Sequence, residues 1–392
     1  MSVLSRCELT RRVRRSLPSP VVHRMMPTFH SRLGGFRETE DSEERYDPIV
    51  VSPHDFGLIE VSGIDLRVGQ VYVGDKIEVI DDVGKLEERV KSGKLTELEP
   101  KNGEIVLEAD ENGRRVFYIT SYEKIKLPDD LALQIDAKST TGRVACMAGG
   151  RMPTFAIDYN DVKSIVRSTS EHPIITMAQP YNFDLIVRPG KTSLVSATLR
   201  GYGDRYMTKE EVIEDRENIQ LFQEGRRIDL GERGRFCKDG FAMKFSTQGV
   251  VRAKRKSELP GPIDMDAKGV YDPWRYFDAV ESKNGEVLLE AERFYLMGTL
   301  EEIRLGNVCA FLSRETHETG TGLWGHFAGT VQPGFVGEIT MECRTNVDKV
   351  IRRGDYAAFF QCDKVNISRP IGSHEGSYQN QKAPLFPKMF KK

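Results

Sequence analysis

Ile175 to Gly190 reads ITMAQPYNFDLIVRPG and Ile339 to Gly354 reads ITMECRTNVDKVIRRG, with seven of the sixteen residues identical at a constant offset of 164. Outward from this pair the match continues. Lys101 to Ala109 (KNGEIVLEA) recurs as Lys283 to Ala291 (KNGEVLLEA), seven residues of nine, and Phe117-Tyr118 recurs as Phe294-Tyr295, each before a segment ending at Leu127 or Leu305. Ile64-Asp65 and Val71-Tyr72 have weaker counterparts in Ile263-Asp264 and Val270-Tyr271. Repeats this long are domains, because solenoids and propellers repeat every ~20–50 residues. The chain reads as an internal duplication, and 392 residues suit two domains that each bury a core. One position breaks the pattern with chemical consequence: Glu342 stands where the first copy has Ala178, or Met177 if the alignment shifts by one.

Strand signals dominate from about Ile49 onward. VFYIT, ALQI, DLIVR, TSLVSATL, EVLLE, CAFL, EITMEC and YAAFFQC are short, rich in β-branched or aromatic residues, and bounded by Gly, Pro or Asn. Short strands with regular turns point to a mostly β chain built of closed barrel or jelly-roll domains. Helices are expected in three places only: an N-terminal one through Arg11 to Arg15 with Ser5 and Glu8 at capping-box spacing, Lys85 to Ser92, and Thr208 to Asn218. The glycine-bearing, charged segment Gln223 to Lys238 is the natural boundary between domains.

A formal net charge of −2 and a pI near 6.4 give no bulk attraction to nucleic acid or anionic lipid. The one basic cluster, Arg252, Lys254, Arg255 and Lys256, reads as solvated surface. Six cysteines, none closer than nineteen residues to the next, form no CxxC pair, so a reduced, cytoplasmic protein without zinc is expected. No run of eighteen apolar residues exists for a spanning helix. His317, Glu318 and His326 have no established metal spacing, and no metal is assigned to the protein.

Two segments carry candidate chemistry. Lys138-Ser139-Thr140-Thr141-Gly142-Arg143 follows the strand ALQI and combines two cations, hydroxyls and backbone N–H groups, the donors a phosphate takes. The turn from Gln332 to Gly337 feeds a strand in which alternation puts Thr340 and Glu342 on one face and Ile339 and Met341 on the other. A glutamate among Ile, Met and Cys is a candidate proton carrier. From Ser368 the chain is rich in Ser, Gly, Asn, Gln and Pro, which suits either a disordered tail or an arm that closes over a ligand.

Together, I-D-L-R-V-G (Ile64 to Gly69), L-P-D-D-L followed by K-S-T-T-G-R, A-G-T-V-Q-P-G-F-V-G-E-I-T-M-E and the terminal S-Y-Q-N-Q-K-A-P resemble the two-domain dCTP deaminases, relatives of the trimeric dUTPases. V-R-A-K-R-K with I-D-M-D-A-K-G-V-Y-D-P resembles the opening of their second domain. V-L-S-R-C-E-L resembles the family's first helix, which favours a helix of the mature protein over a transit peptide for the arginine-rich start. The resemblance implies two tandem dUTPase-like distorted β-barrels, residues 1–222 and 223–367, with 368–392 as a C-terminal lid arm. It implies a homo-oligomer, trimer or hexamer, with sites between barrels and no zinc. Glu342 would be the catalytic carboxylate, with Ser139 beside it positioning water and ring. Lys138, Thr140, Thr141, Gly142 and Arg143 would hold the triphosphate with its Mg²⁺. Gln332, Thr340 and Met341 would line the sugar and base, and Tyr378, Gln381 and Lys382 would belong to the lid. Two departures follow from the sequence: Gln332 replaces the family's usual Asp, and the second copy reads S-R-E-T-H-E-T where the first has its phosphate turn. The losses are complementary, so one whole site is expected from the first domain's turn and the second domain's strand. The implied activity is deamination of dCTP to dUTP and ammonia; dUTP diphosphatase, a bifunctional enzyme, or a silent nucleotide-binding regulator are the alternatives.

Overall fold

A computed structural model describes residues 3–4, 50–52, 63–78, 80, 83–112, 114–126, 131–149, 165–166, 173–201, 206–232, 236–237, 240–313, 323–325, 328–366, 378–382 and 384–391. The expected N-terminal helix with Ser5 and Glu8, and the segment holding His317, Glu318 and His326, lie outside these residues.

The chain is mostly strand, and every strand-like run quoted above forms one. In the first half β1 (Gly63–Gly74), β2 (Val116–Lys126), β3 (Leu131–Ala137), β4 (Cys146–Gly149), β5 (Pro173–Pro180) and β6 (Ser193–Gly201) pair antiparallel in the order β2-β5-β4-β3-β6-β1, and β1 returns to β2 to close a six-stranded barrel. Closure leaves no free edge in the ring. In the second half β7 (Gly240–Ala253), β8 (Phe294–Leu305), β9 (Val308–Ser313), β10 (Leu323–Gly325), β11 (Val336–Thr345) and β12 (Tyr356–Asn366) take the corresponding places, with β10-β11-β8-β7-β12-β9 paired in that order.

The halves share fine structure as well as order. A glutamate with no exposure sits inside each bulge: Glu123 accepts the Arg67 backbone N–H at 2.8 Å and Glu301 accepts that of Lys244 at 2.8 Å. In the quoted repeat, Asp184 accepts the N–H of Ala109 at 2.6 Å and Asp348 that of Ala291 at 2.7 Å. A buried carboxylate is tolerated where backbone donors satisfy it.

Pairing register corrects the sequence alignment in one place. Tyr118 lies opposite Met177, and Leu296 lies opposite Glu342. Counting from the matched Glu123 and Glu301, Tyr118 corresponds to Leu296, so the counterpart of Glu342 is Met177 and not Ala178. The two Phe-Tyr dipeptides are likewise one residue out of step. Phe117 faces the first core while Tyr118 faces out, whereas Tyr295 faces the second core and Phe294 faces out. A one-residue slip inverts every side chain of a strand, which identity of letters does not reveal.

Helix α1 (Val83–Lys91) buries Leu86 against Tyr72, Tyr118 and Met177, covering the outer face of the first barrel. Helix α2 (Lys209–Glu214) starts at a capping box: Thr208 accepts from the Glu211 N–H at 3.3 Å and the Glu211 carboxylate from the Thr208 N–H at 2.7 Å. The strand Ile219–Gln223, which spans the expected boundary at 222–223, pairs with β8 of the second half.

The halves are joined by strand and charge. Ile263–Asp264 adds a parallel pair to Leu185–Val187, and Arg188 donates to Asp264 at 2.7 Å, Asp266 at 3.2 Å and Glu104 at 2.6 Å. The outer face of the second barrel, Phe277, Phe294 and Leu296, packs into the same cluster as the first core. Three of the four residues of the basic cluster are paired locally: Arg252 with Glu290, Lys254 with Asp278 at 3.6 Å and Lys256 with Asp184 at 2.8 Å.

Candidate active site between the two halves

After β3 the chain makes a single helical turn, Ser139–Gly142, bounded by Lys138 and Arg143. The turn presses against the second half. A Cβ on Gly142 would lie 3.1 Å from the Ala328 backbone nitrogen and 3.2 Å from the Glu342 carboxyl carbon, so any larger residue would press on both by a few tenths of an ångström. Asp136, at the end of β3, accepts from the Thr330 hydroxyl at 2.9 Å, a second fixed contact across the same seam.

Glu342 and Arg143 meet here, within one chain. Arg143 Nε stands 3.9 Å from Glu342 Oε1, and the residues are 3% and 0% exposed. Alternation along β11 follows the expected pattern. Ile339, Met341 and Cys343 lie in the second core, and the Thr340 hydroxyl accepts the Leu385 N–H at 3.1 Å on the Glu342 face. Burial pushes the Cys343 thiol far up, with the Glu342 charge adding to it. Burial also lowers the Arg143 pKa from its usual value, and Tyr378 and Glu342 oppose that shift.

The C-terminal arm supplies the rest of the arginine's surroundings. Arg143 donates to Gln381 Oε1 at 3.0 Å and to the Leu385 carbonyl at 3.2 Å, and its guanidinium lies 3.8 Å from the Tyr378 ring centroid. The Tyr378 hydroxyl is 3.0 Å from Thr140 Oγ1. Gln381 itself is threaded beside β11, where Glu338 donates its N–H to the Gln381 carbonyl at 3.1 Å. Beyond it Met389 and Phe390 are buried at 0% and 2%, and Phe390 meets Tyr276 at 5.3 Å and Phe277 at 5.7 Å. The described part of the arm is therefore packed, not a disordered tail; nothing in its Ser-, Gln- and Pro-rich letters signals the aromatic anchor at its end.

The remaining candidates divide. Lys138 is ion-paired to Asp65, and Ser139 is half-buried at the turn's start. Thr141 donates to the Leu194 carbonyl at 2.8 Å and so braces the turn from below. Gln332 is half-buried, and its Oε1 is enclosed without a hydrogen-bond partner. Met341 points into the second core, away from Glu342. Lys382 is turned outward to Glu338 at 3.4 Å and Glu302 at 3.5 Å, apart from the turn. Asp65, Asp136 and Leu385 were not among the sequence candidates. Asp65 is in I-D-L-R-V-G and Asp136 precedes the turn by two residues, but nothing in their letters separates them from surface acids. Among the described residues no group of three or more His, Cys, Asp or Glu side chains could hold a metal.

Residues 215–361 match the family model of the 2'-deoxycytidine 5'-triphosphate deaminase C-terminal domain. The fold is similar to that of a 2'-deoxycytidine 5'-triphosphate deaminase from Agrobacterium tumefaciens, with a TM-score of 0.64 at 18% identity over 81% of this chain and 94% of that one. No curated protein sequence matches the chain at a significant level. The matched segment contains β11 and Glu342, and the likeness of fold extends beyond it to most of the chain.

Proposed function

We propose that the protein converts dCTP and water to dUTP and ammonia at the seam between its halves. The observation that carries this reading is the buried approach of Arg143 to Glu342, 3.9 Å apart, in a chain whose second half matches a dCTP deaminase domain. Glu342 takes a proton from water as its oxygen adds to C4 of the cytosine, and passes that proton to N3. It then takes the proton of the new hydroxyl and gives it to the amine, which leaves as ammonia while the C4 carbonyl forms. One carboxylate serves both transfers because it returns to its starting state. Arg143 keeps that carboxylate oriented, a role its buried hydrogen bonds to the arm allow it to hold without moving.

Ser139 and Thr140, beside Lys138, face the nucleotide's phosphates, and Gln332 lies toward the sugar with an acceptor oxygen that lacks a partner. The turn offers hydroxyls and cations, a donor set for phosphate oxygens and not for a divalent cation. Mg²⁺ would reach the site on the triphosphate, where it screens phosphate charge. Gln332 carries a neutral amide, which cannot act as the base that dUTP diphosphatase chemistry requires, so deamination alone is the reading preferred.

Incubation with dCTP, dUTP and dCMP in Mg²⁺, with ammonia and diphosphate assayed separately, tests it. Ammonia from dCTP without diphosphate is expected. Diphosphate from dUTP, or no ammonia from dCTP, overturns it.

A further inference from the structure

Thr340, Glu342 and Arg344 share the outward face of β11, with the acid in the middle. Thr340 is tied to the C-terminal arm through the Leu385 N–H, at 3.1 Å. Arg344, 6% exposed, ties the other side of the acid to the first half. It donates to the Glu111 carbonyl at 2.6 Å, and its guanidinium carbon lies 4.2 Å from the Tyr181 ring centroid. Within its own half it is ion-paired to Glu292. Both first-half contacts are themselves fixed. The Glu111 carboxylate accepts the Lys256 N–H at 2.6 Å. Tyr181 is buried; its hydroxyl donates to Gln179 Oε1 at 2.9 Å and its N–H to the Ala145 carbonyl at 2.9 Å, while the Ala145 N–H donates to the Gly142 carbonyl at 3.0 Å. A short path of contacts therefore runs from Arg344 to the end of the Lys138–Arg143 turn. Ala145 stands on that path with a φ of 53°, a left-handed conformation that a non-glycine residue keeps only where its surroundings impose it.

Arg143 Nε stands 3.9 Å from Glu342 Oε1, beyond hydrogen-bond reach, so the alignment of the two depends on how β11 is seated against the turn. We propose that Arg344, stacked on Tyr181, is a positioning residue for Glu342: it clamps the acid-bearing strand to the exit of the turn and so sets the separation of acid and turn across the seam. The role rests on the deaminase reading above. The first copy has Gln179 at the place of Arg344, two residues beyond Met177 as Arg344 is two beyond Glu342, and that same Gln179 accepts from the Tyr181 hydroxyl. Matching positions of the two strands thus hold one tyrosine from two sides. Arginine suits this clamp better than lysine, because its planar fork stacks on the ring and donates to Glu111 and Glu292 at once.

Steady-state kinetics of the full chain on dCTP test this, using wild type, Arg344→Lys, Arg344→Met, Tyr181→Leu and the Arg344→Met/Tyr181→Leu double variant, with kcat counted per folded molecule from thermal melting. Misplacing the acid should lower kcat about 10²-fold in Arg344→Met while KM stays within a few-fold, and Arg344→Lys should lose about tenfold. The double variant should fall no further than the worse single one, because both remove the same contact. Folded Arg344 variants with wild-type kcat, or losses that multiply in the double variant, overturn the clamp. Where the methionine or leucine variants unfold, Arg344→Lys carries the test. Wild type that releases no ammonia overturns the deaminase reading, and amide hydrogen exchange then decides the clamp. Faster exchange at Ala145 and Tyr181 in Arg344→Lys, with the ladder between β7 and β12 as in wild type, supports it; unchanged exchange at both amides overturns it.

Discussion

Met177 in the first half and Glu342 in the second occupy matching places on matching strands, and they face different things. Met177 looks outward from its barrel onto Leu86 of helix α1, in a buried apolar cluster with Tyr72 and Tyr118. Glu342 looks outward from its barrel onto Arg143 of the other half. The same backbone therefore offers an apolar wall in one copy and a charged face in the other. What differs is the cover: a helix the chain grows from its own half, or a phosphate-type turn brought from its neighbour. An acid is retained only where a cation crosses the seam to meet it, because a buried carboxylate without a partner is costly.

Breaking the contrast at its chemical end should give the largest effect. Glu342→Gln keeps the shape and hydrogen-bonding capacity of the side chain but removes the proton carrier, so ammonia release from dCTP should fall by about 10²–10⁴-fold while nucleotide binding persists. Moving the acid to the other copy tests the cover. Met177→Glu should lose about 3–5 kcal/mol of stability in chemical denaturation, since it would bury a carboxylate among Tyr72, Leu86 and Tyr118. It should not rescue Glu342→Gln.

The anchor of the arm comes next. Phe390→Ala removes a side chain that is 2% exposed and should cost about 3–5 kcal/mol if its cavity does not collapse. Its melting temperature would report this, and loss of Arg143's partners should lower turnover alongside. Gly142→Ala is milder, because its methyl need displace Ala328 and Glu342 by only a few tenths of an ångström. Overpacking of this kind costs about 1–3 kcal/mol, and kcat should fall more than substrate affinity.

The smallest effect concerns the strand junction. The Arg188 hydrogen bond holds the Asp264 carboxyl below its usual range, despite some burial acting the other way. A depressed folded pKa contributes stability that is complete above the unfolded value, ~3.9, and is lost as pH falls through the folded one. Asp264→Asn should therefore melt lower than wild type at pH 7, with the gap closing as both are taken below the free carboxylate's ~3.9.

Much of this was legible in the letters. Strands such as EITMEC and YAAFFQC are set by β-branched and aromatic runs between turn residues, a local signal that survives into the fold. The joining of the Lys138–Arg143 turn to Glu342 followed from complementary losses in the two copies, and the structure brings these residues together within a single chain. The register of β2 against β5 was not legible. Phe117-Tyr118 and Phe294-Tyr295 are the same letters on opposite faces, and the slip that separates them depends on pairing with a distant strand. The arm was read only in part. Tyr378 and Gln381 do close over Arg143, but Lys382 turns to Glu338 and Glu302, and the anchoring of Met389 and Phe390 is a tertiary fact with no periodicity to announce it.

The central claim is that each chain holds one whole site, its turn from the first half and its acid from the second. Arg143→Gln and Glu342→Gln variants, each inactive, should be co-expressed, purified together and assayed for ammonia from dCTP. If turn and acid come from the same chain, every site in the mixture carries one defect and no activity returns. Recovery of a substantial fraction of wild-type turnover would mean that sites are assembled between chains, and would contradict the account.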